Sequence, residues 1–279
     1  MRSDVIETIE SEPIAEAVPP RPSDGLPRAF LRPCGTPYFV RKAAAFLSLN
    51  EAERNELESR VGRSTTVPAD TVLYRRGDPV RRVLIVVSGV LVESATGPDG
   101  GTQNFRFYFP GDSIGGHEIA SHHHSADLRT LTSVSYAAVP AASIPPRVNG
   151  RLSALFFALR MVEQTIVSDR MRTIGRGRAE ERLLHLMLEL NARQRLTEPS
   201  IGDRVWCPFS QVEIGDAIGL TNVYVSRTMN RLRGEGMLRS DGRTVTILDR
   251  SAAIRRTSFV DRYADIDLSR MGAGDLTIR

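Results

Sequence analysis

From Phe209 to Leu238 the chain reads FSQVEIGDAIGLTNVYVSRTMNRLRGEGML, and the side chains there that could do chemistry are hydrogen-bond donors. Between Thr221 and Arg239, four arginines (Arg227, Arg231, Arg233 and Arg239) stand against one acid, Glu235. A guanidinium is a planar fork of N–H donors that matches the O6/N7 edge of guanine, so Arg227 in the first turns of a helix can read a base. Ser226 and Asn222 flank it. Val223 accepts no hydrogen bond but can pack against a thymine methyl. Ser210, Gln211, Arg231 and Arg243 are candidates for phosphate contact, since helix N-termini and basic loop tips present donors to anions.

A second cluster has different chemistry. Four of the five histidines, His117, His122, His123 and His124, lie in one short segment beside Glu118. Imidazoles near a carboxylate can bind zinc or titrate near neutral pH. The spacing is not HExxH, because Ser121 stands at the required position. Adjacent histidines point in different directions, and a solvated loop is the plain alternative. His117, Glu118, His124 and Ser125 form the candidate effector pocket. No metal or cofactor is expected, and no enzymatic activity: a cupin-like metal enzyme needs ligands converging from facing strands, whereas these crowd one segment.

The elements that position the arginines follow from periodicity. Val212, Ile214, Ala217 and Ile218 predict a short helix over 211–218. Gly219 allows a sharp reversal, Leu220 plugs it, and Thr221 or Asn222 caps the next helix. There Val225, Met229 and Leu232 face inward and leave Asn222, Val223, Ser226, Arg227 and Asn230 outward. Gly236 ends this helix, and Met237-Leu238, a turn at 240–243 and Thr244 to Leu248 read as a hairpin with a basic tip. The pattern is a winged helix-turn-helix whose second helix can enter a major groove; a helical hairpin with a solvated basic face is the bland alternative.

The run from Gln211 to Arg227, followed by Leu232, Gly236 and the wing, resembles the DNA-binding domain of the Crp/Fnr superfamily of bacterial transcription regulators. Upstream, Tyr74-Arg-Arg-Gly-Asp78, Val86-Val-Ser-Gly89 and Phe109-Pro-Gly-Asp-Ser-Ile-Gly115 resemble turns of that superfamily's cyclic-nucleotide-binding β-roll, in the same order. The resemblance implies that Ser226 and Arg227 occupy base-reading positions. Val223 departs from the glutamate that many relatives carry. In the roll, Gly115-Gly116-His117 and His124-Ser125 replace the Gly-Glu and Arg-Ser pairs that hold a cyclic phosphate. Cyclic-nucleotide binding is therefore not expected, unless Glu118 or Arg129 substitutes from a shifted position.

The rest of the chain agrees with that layout. The fold class expected is α+β. A leader over 1–37, rich in proline, reads as disordered. A β-roll sensor over 38–146 shows short strands at Thr71–Tyr74, Val83–Val87, Val90–Val92, Phe105–Phe109 and Leu128–Val139, after one or two short helices capped at Asn50. A dimerisation helix over 147–175 carries Leu152, Leu155, Leu159, Val162 and Ile166 at +3, +4, +3, +4, the seam of a coiled coil; burial within its own domain is the alternative. Gly175 and Gly177 flank a hinge, the DNA-binding domain spans 176–250, and 251–279 is a tail.

At 279 residues with 41% hydrophobic and 25% charged content, the chain can bury its own core. A net charge of +4 favours a polyanion only weakly. Cys34 and Cys207, without CxxC spacing, give neither a disulfide framework nor a four-cysteine cluster. Without a signal peptide or an apolar run of membrane length, a cytoplasmic protein is expected. The expected partners are a palindromic duplex operator, a second copy of the chain and RNA polymerase, with no membrane. A cyclic-nucleotide- or metal-responsive regulator, or an interaction protein that does not bind DNA, is the alternative.

Overall fold

A computed structural model describes residues 37–116, 118–141 and 150–268. The proline-rich leader up to residue 36, with Cys34, and the end of the chain from 269 lie outside the described residues, as does His117. Two helices open the fold, α1 (Tyr38–Ala44) and α2 (Glu51–Arg60). The expected cap at Asn50 is present: its Oδ1 accepts from Glu53 N at 2.9 Å, and its own N–H donates to Glu53 Oε2 at 3.0 Å.

Eight strands follow: β1 (Ser64–Val67), β2 (Val72–Tyr74), β3 (Arg82–Ser88), β4 (Leu91–Thr96), β5 (Thr102–Tyr108), β6 (Ser113–Ile114), β7 (Asp127–Thr130) and β8 (Val134–Pro140). They pair antiparallel in two sheets, ordered β1-β8-β3-β6 and β2-β7-β4-β5. Alternation along β3 sends Leu84 and Val86 into the roll with Ile114 and Leu128, and Ile85 outward against the helices. The run from Leu128 to Val139 is two strands in different sheets. It breaks because Leu131 N donates to Val90 O at 2.8 Å and Thr132 Oγ1 accepts from Val90 N at 2.9 Å. Gly89, at φ +84°, admits this close turn; a Cβ there would lie 2.2 Å from Ser133 O.

Helix α3 (Gly150–Arg176) crosses the outer face of the first sheet, and α4 (Ala179–Thr197) returns. Gly175 lies inside the last turn of α3, so the break falls at Gly177 and Arg178. The leucines of α3 are not a free seam. Leu152, Leu155, Leu159 and Ile166 are buried against α1, α2 and Ile85, with Val162 partly buried beside them. The 3.5-residue repeat is used on the chain's own core. Exposed instead are Phe157, Met161 and Met171, at 58%, 55% and 69%.

The C-terminal part contains β9 (Arg204–Trp206), α5 (Gln211–Ile218), α6 (Asn222–Gly234), β10 (Leu238–Asp241), β11 (Thr244–Ile247) and α7 (Arg250–Thr257). Residues 251–268, expected as a tail, belong to the fold. Helix α7 packs on α4, Arg262 makes a two-pronged ion pair with Asp169 at 2.8 and 3.2 Å, and Tyr263 and Leu268 are buried beside α3. One apolar core crosses the expected domain boundary, joining Val90, Val92, Phe107 and Phe109 of the roll to Leu183–Leu190 of α4 and to Trp206, Ile214 and Val225. Among the described residues no helix is long and apolar enough to cross a membrane.

Candidate nucleic-acid interface

Ser210 begins the interface as the N-cap of α5. Its Oγ accepts from Glu213 N at 3.2 Å, while Glu213 Oε2 accepts from Ser210 N at 2.6 Å. Ile214, Ala217 and Ile218 are buried as expected. Val212 is not: it is 52% exposed, because a residue two positions from Ile214 falls on the opposite side of a helix. Gly219 takes the left-handed conformation at φ +67°. Gly215 matters equally and was not singled out in the sequence, since a Cβ there would sit 2.3 Å from Leu220 O.

Thr221 caps α6, accepting from Tyr224 N at 3.4 Å. Val225, Met229 and Leu232 are buried and fix the helix on its partners. Its outer surface carries Asn222, Val223, Arg227, Asn230 and Arg231, all exposed, with Ser226 partly so. Tyr224, 56% exposed, joins this surface, and the sequence reading missed it. Arg227 makes no ion pair among the described residues. Arg231 is more constrained: it reaches Glu180 at 2.7 Å and Glu235 at 3.5 Å, although its side chain stays 69% exposed. Asn222 Oδ1 accepts from Val223 N at 2.8 Å.

The wing is a three-stranded sheet, β10-β11-β9, whose first two strands turn at Gly242-Arg243. Strand β9 was not foreseen, because three residues give no period to read. It is held by Gln194, whose Nε2 donates to Trp206 O at 2.8 Å and whose Oε1 accepts from Trp206 N at 2.9 Å. The exposed Arg243 stands at the hairpin tip.

The structure brings together Glu118, His124 and Ser125 of the expected effector pocket, burying Glu118 and His124 and leaving Ser125 exposed beside them. His124 Nδ1 lies 2.7 Å from Glu118 Oε2, and Ser125 donates from N at 2.6 Å and from Oγ at 2.5 Å to Glu118 Oε1. The Tyr74 ring stacks on His124 at 3.5 Å. Nearby, Tyr108 donates to Glu93 at 2.8 Å, and burial pushes both of these acids up from their ordinary values. Glu118, His124 and Ser125 bond to one another, so these three described members of the set do not line an open pocket. His122 and His123 are exposed and turn elsewhere, and among the described residues no three metal-ligating side chains converge. Arg129 cannot replace the missing arginine. It lies outside the roll, 2.7 Å from Asp70 and 3.5 Å from Glu213.

Family models now fit both halves of this geometry: the Crp-like helix-turn-helix domain matches residues 181–252, and the cyclic nucleotide-binding domain matches residues 64–145. The chain belongs to the Crp/Fnr family. It is a DNA-binding transcription regulator and not an enzyme. This regulator is 29% identical over 214 residues to the nitrogen fixation regulation protein FixK of Bradyrhizobium diazoefficiens, covering 75% of this chain and 88% of that one. To the transcriptional activator protein FnrA of Stutzerimonas stutzeri it is 27% identical over 210 residues, covering 73% and 84%. Among solved structures, FixK2 from Bradyrhizobium japonicum superposes with a TM-score of 0.61 at 23% identity, covering 71% of this chain and 98% of that one. A CRP-family transcriptional regulator from Thermus thermophilus gives 0.56 at 20% identity, covering 70% and 97%.

Proposed function

We propose that this regulator acts in the cytoplasm as a homodimer that reads a palindromic operator with α6, and that its roll takes no cyclic nucleotide. The observation that carries the reading is the exposed outer face of α6, backed by buried Val225, Met229 and Leu232 and bearing Arg227 without an ionic partner among the described residues. Arg227 forks onto a guanine, Val223 packs on a thymine methyl, and Asn222 and Ser226 complete the reading surface. Ser210, Gln211, Arg231 and Arg243 hold phosphates and set the register. Two copies place their α6 helices about 34 Å apart, one turn of duplex.

For the dimer contact the exposed strip of Phe157, Met161 and Met171 is better suited than the buried leucines. The packed interior around Tyr74, His124 and Glu118 supports a signal other than a cyclic nucleotide. Contact with RNA polymerase belongs to the same proposal, as the route from operator occupancy to transcription. Selection of bound duplexes from a random pool tests it: a two-fold symmetric motif with guanine in each half is expected. Arg227→Ala should then lose about 5- to 150-fold in affinity and relax one base position, matching ~1–3 kcal/mol for a bidentate pair. Cyclic AMP should leave the affinity unchanged. No preference among duplexes at moderate salt would overturn the reading.

A further inference from the structure

Between α2, the outer face of the first sheet and the N-terminal half of α3 lies a cleft of about 460 Å³. That is within the ~300–1,000 Å³ range of sites that hold small organic molecules. Its walls are apolar, with Leu57 on α2, Val83 and Ile85 on β3, Val139 on β8 and Phe156 on α3. The floor is held in place, because the Phe156 ring stacks on Phe39 with centroids 5.6 Å apart. The cleft is not the interior of the roll. Leu84 and Val86 face that interior, whereas their neighbours Val83 and Ile85 face this cleft.

A cation stands in the apolar wall. Arg160, one turn along α3 from Phe156, lines the cleft, and its Nη2 donates to Ser113 O at 3.3 Å. That carbonyl is neutral, and no carboxylate of the described residues lies within ion-pair distance of the guanidinium. Gly116 leaves room beside it: a Cβ there would come within 3.1 Å of Nη2. The other arginine of the cleft, Arg60, is neutralised by Glu56 at 2.9 Å. A half-buried guanidinium among apolar walls has lost hydration, and the acid that influences it, Glu93, lies beyond ion-pair distance, so it favours an anion that brings its own apolar body.

We infer that the cleft binds an amphipathic monocarboxylate, with the apolar chain against Val83, Val139 and Phe156 and the carboxylate on Arg160. One unpaired guanidinium matches one carboxylate, and a dianionic head would be left half-neutralised. The ligand would lie against the helix that also carries Glu163, Asp169 and Arg170, each bonded to α4 or to the C-terminal segment. Occupancy therefore acts on the helix that links the roll to the DNA-binding elements.

Calorimetric titration of the full chain with decanoate, without DNA, tests this independently of the operator reading. Saturable binding of one decanoate per chain is expected, with octanoate weaker by roughly fourfold for each methylene lost. Decanol, which has the chain without the charge, should bind at least about tenfold more weakly. Arg160→Met should bring decanoate and decanol to equal affinity, and Val139→Trp, which fills the cleft, should abolish both while the variant still melts cooperatively. Failure of decanoate to saturate below its micelle concentration would overturn the inference. So would an Arg160→Met protein that keeps the full preference for the acid.

Discussion

Glu163 shows how one side chain holds several elements together. It accepts from Arg193 Nη2 of α4 at 2.7 Å and from Tyr263 Oη of the C-terminal segment at 2.8 Å, and Arg193 also reaches Asp112 of the roll at 3.2 Å. Lys42 of α1 closes the group at 2.6 Å from Asp112. Burial alone would push the Glu163 carboxyl up, but Arg193, then Lys42, and the hydrogen bonds from Arg193 and Tyr263 outweigh it and hold the group well below the ordinary 4.5. A depressed carboxyl contributes stability above its unfolded value and loses it as the pH falls below that value. Urea titrations should therefore show the wild type losing stability steeply below pH 4.5 and Glu163→Gln losing much less over the same range. At neutral pH Glu163→Gln should already be weaker by about 3–5 kcal/mol, because Arg193 is left in part uncompensated. Tyr263→Phe, which removes one hydrogen bond to a charged group, should cost about 1.5–3 kcal/mol. Parallel acid limbs in wild type and Glu163→Gln would mean that the carboxyl is not ionised in the folded chain.

At the level of elements, the turn between α5 and α6 depends on a glycine inside the first helix rather than only on the one that ends it. Gly215→Ala would drive a methyl to 2.3 Å from a backbone oxygen that cannot move away without unseating α6. Overpacking of this kind costs about 1–3 kcal/mol. We expect lost operator binding and a lower melting temperature, whereas Gly234→Ala, in open space, should leave both unchanged. Sequence and structure agree most closely here. Helices α5 and α6, the cap at Asn50 and most strands of the roll were legible, since each is written in a local period or a capping residue. Strands β1, β6 and β9 were not, because their short runs owe their state to partners distant in the chain. The polar side of α4 was equally hidden. Glu189, Asn191, Arg193 and Gln194 look like a solvated face in sequence, yet all are buried and each is paired across the fold. The outward group at α6 could be named from the helical period, but the engagement of Arg231 by Glu180 could not, the two being 51 positions apart.

For the whole molecule, the roll and the DNA-binding part do not meet at a free hinge. Asn104 Nδ2 donates to Glu213 O at 3.0 Å, Gln103 Nε2 donates to Asp216 O at 2.6 Å, and Phe107 stacks on Phe209 at 4.1 Å, which docks α5 against β5. A dimer built from such a body fixes the separation of its two reading helices through α3. The leucine repeat of that helix is used inward, so in the proposed dimer the second copy would use what remains outside. Met161 and Met171 point away from the core on the same helix as Phe157, and burying them against a copy of themselves removes apolar area from water without disturbing any internal contact. Met161→Glu together with Met171→Glu should therefore give a monomer by sedimentation, with an unchanged melting transition, whereas Leu159→Glu should unfold the chain, because its site is 8% exposed. On a full palindrome the double variant should bind at least about a hundredfold more weakly than the wild type, the loss expected when two linked contacts become independent. On a duplex carrying a single half-site the two proteins should bind alike, since each then uses one α6. Retained dimerisation in the double variant would place the contact elsewhere and leave the strip a surface feature of the monomer.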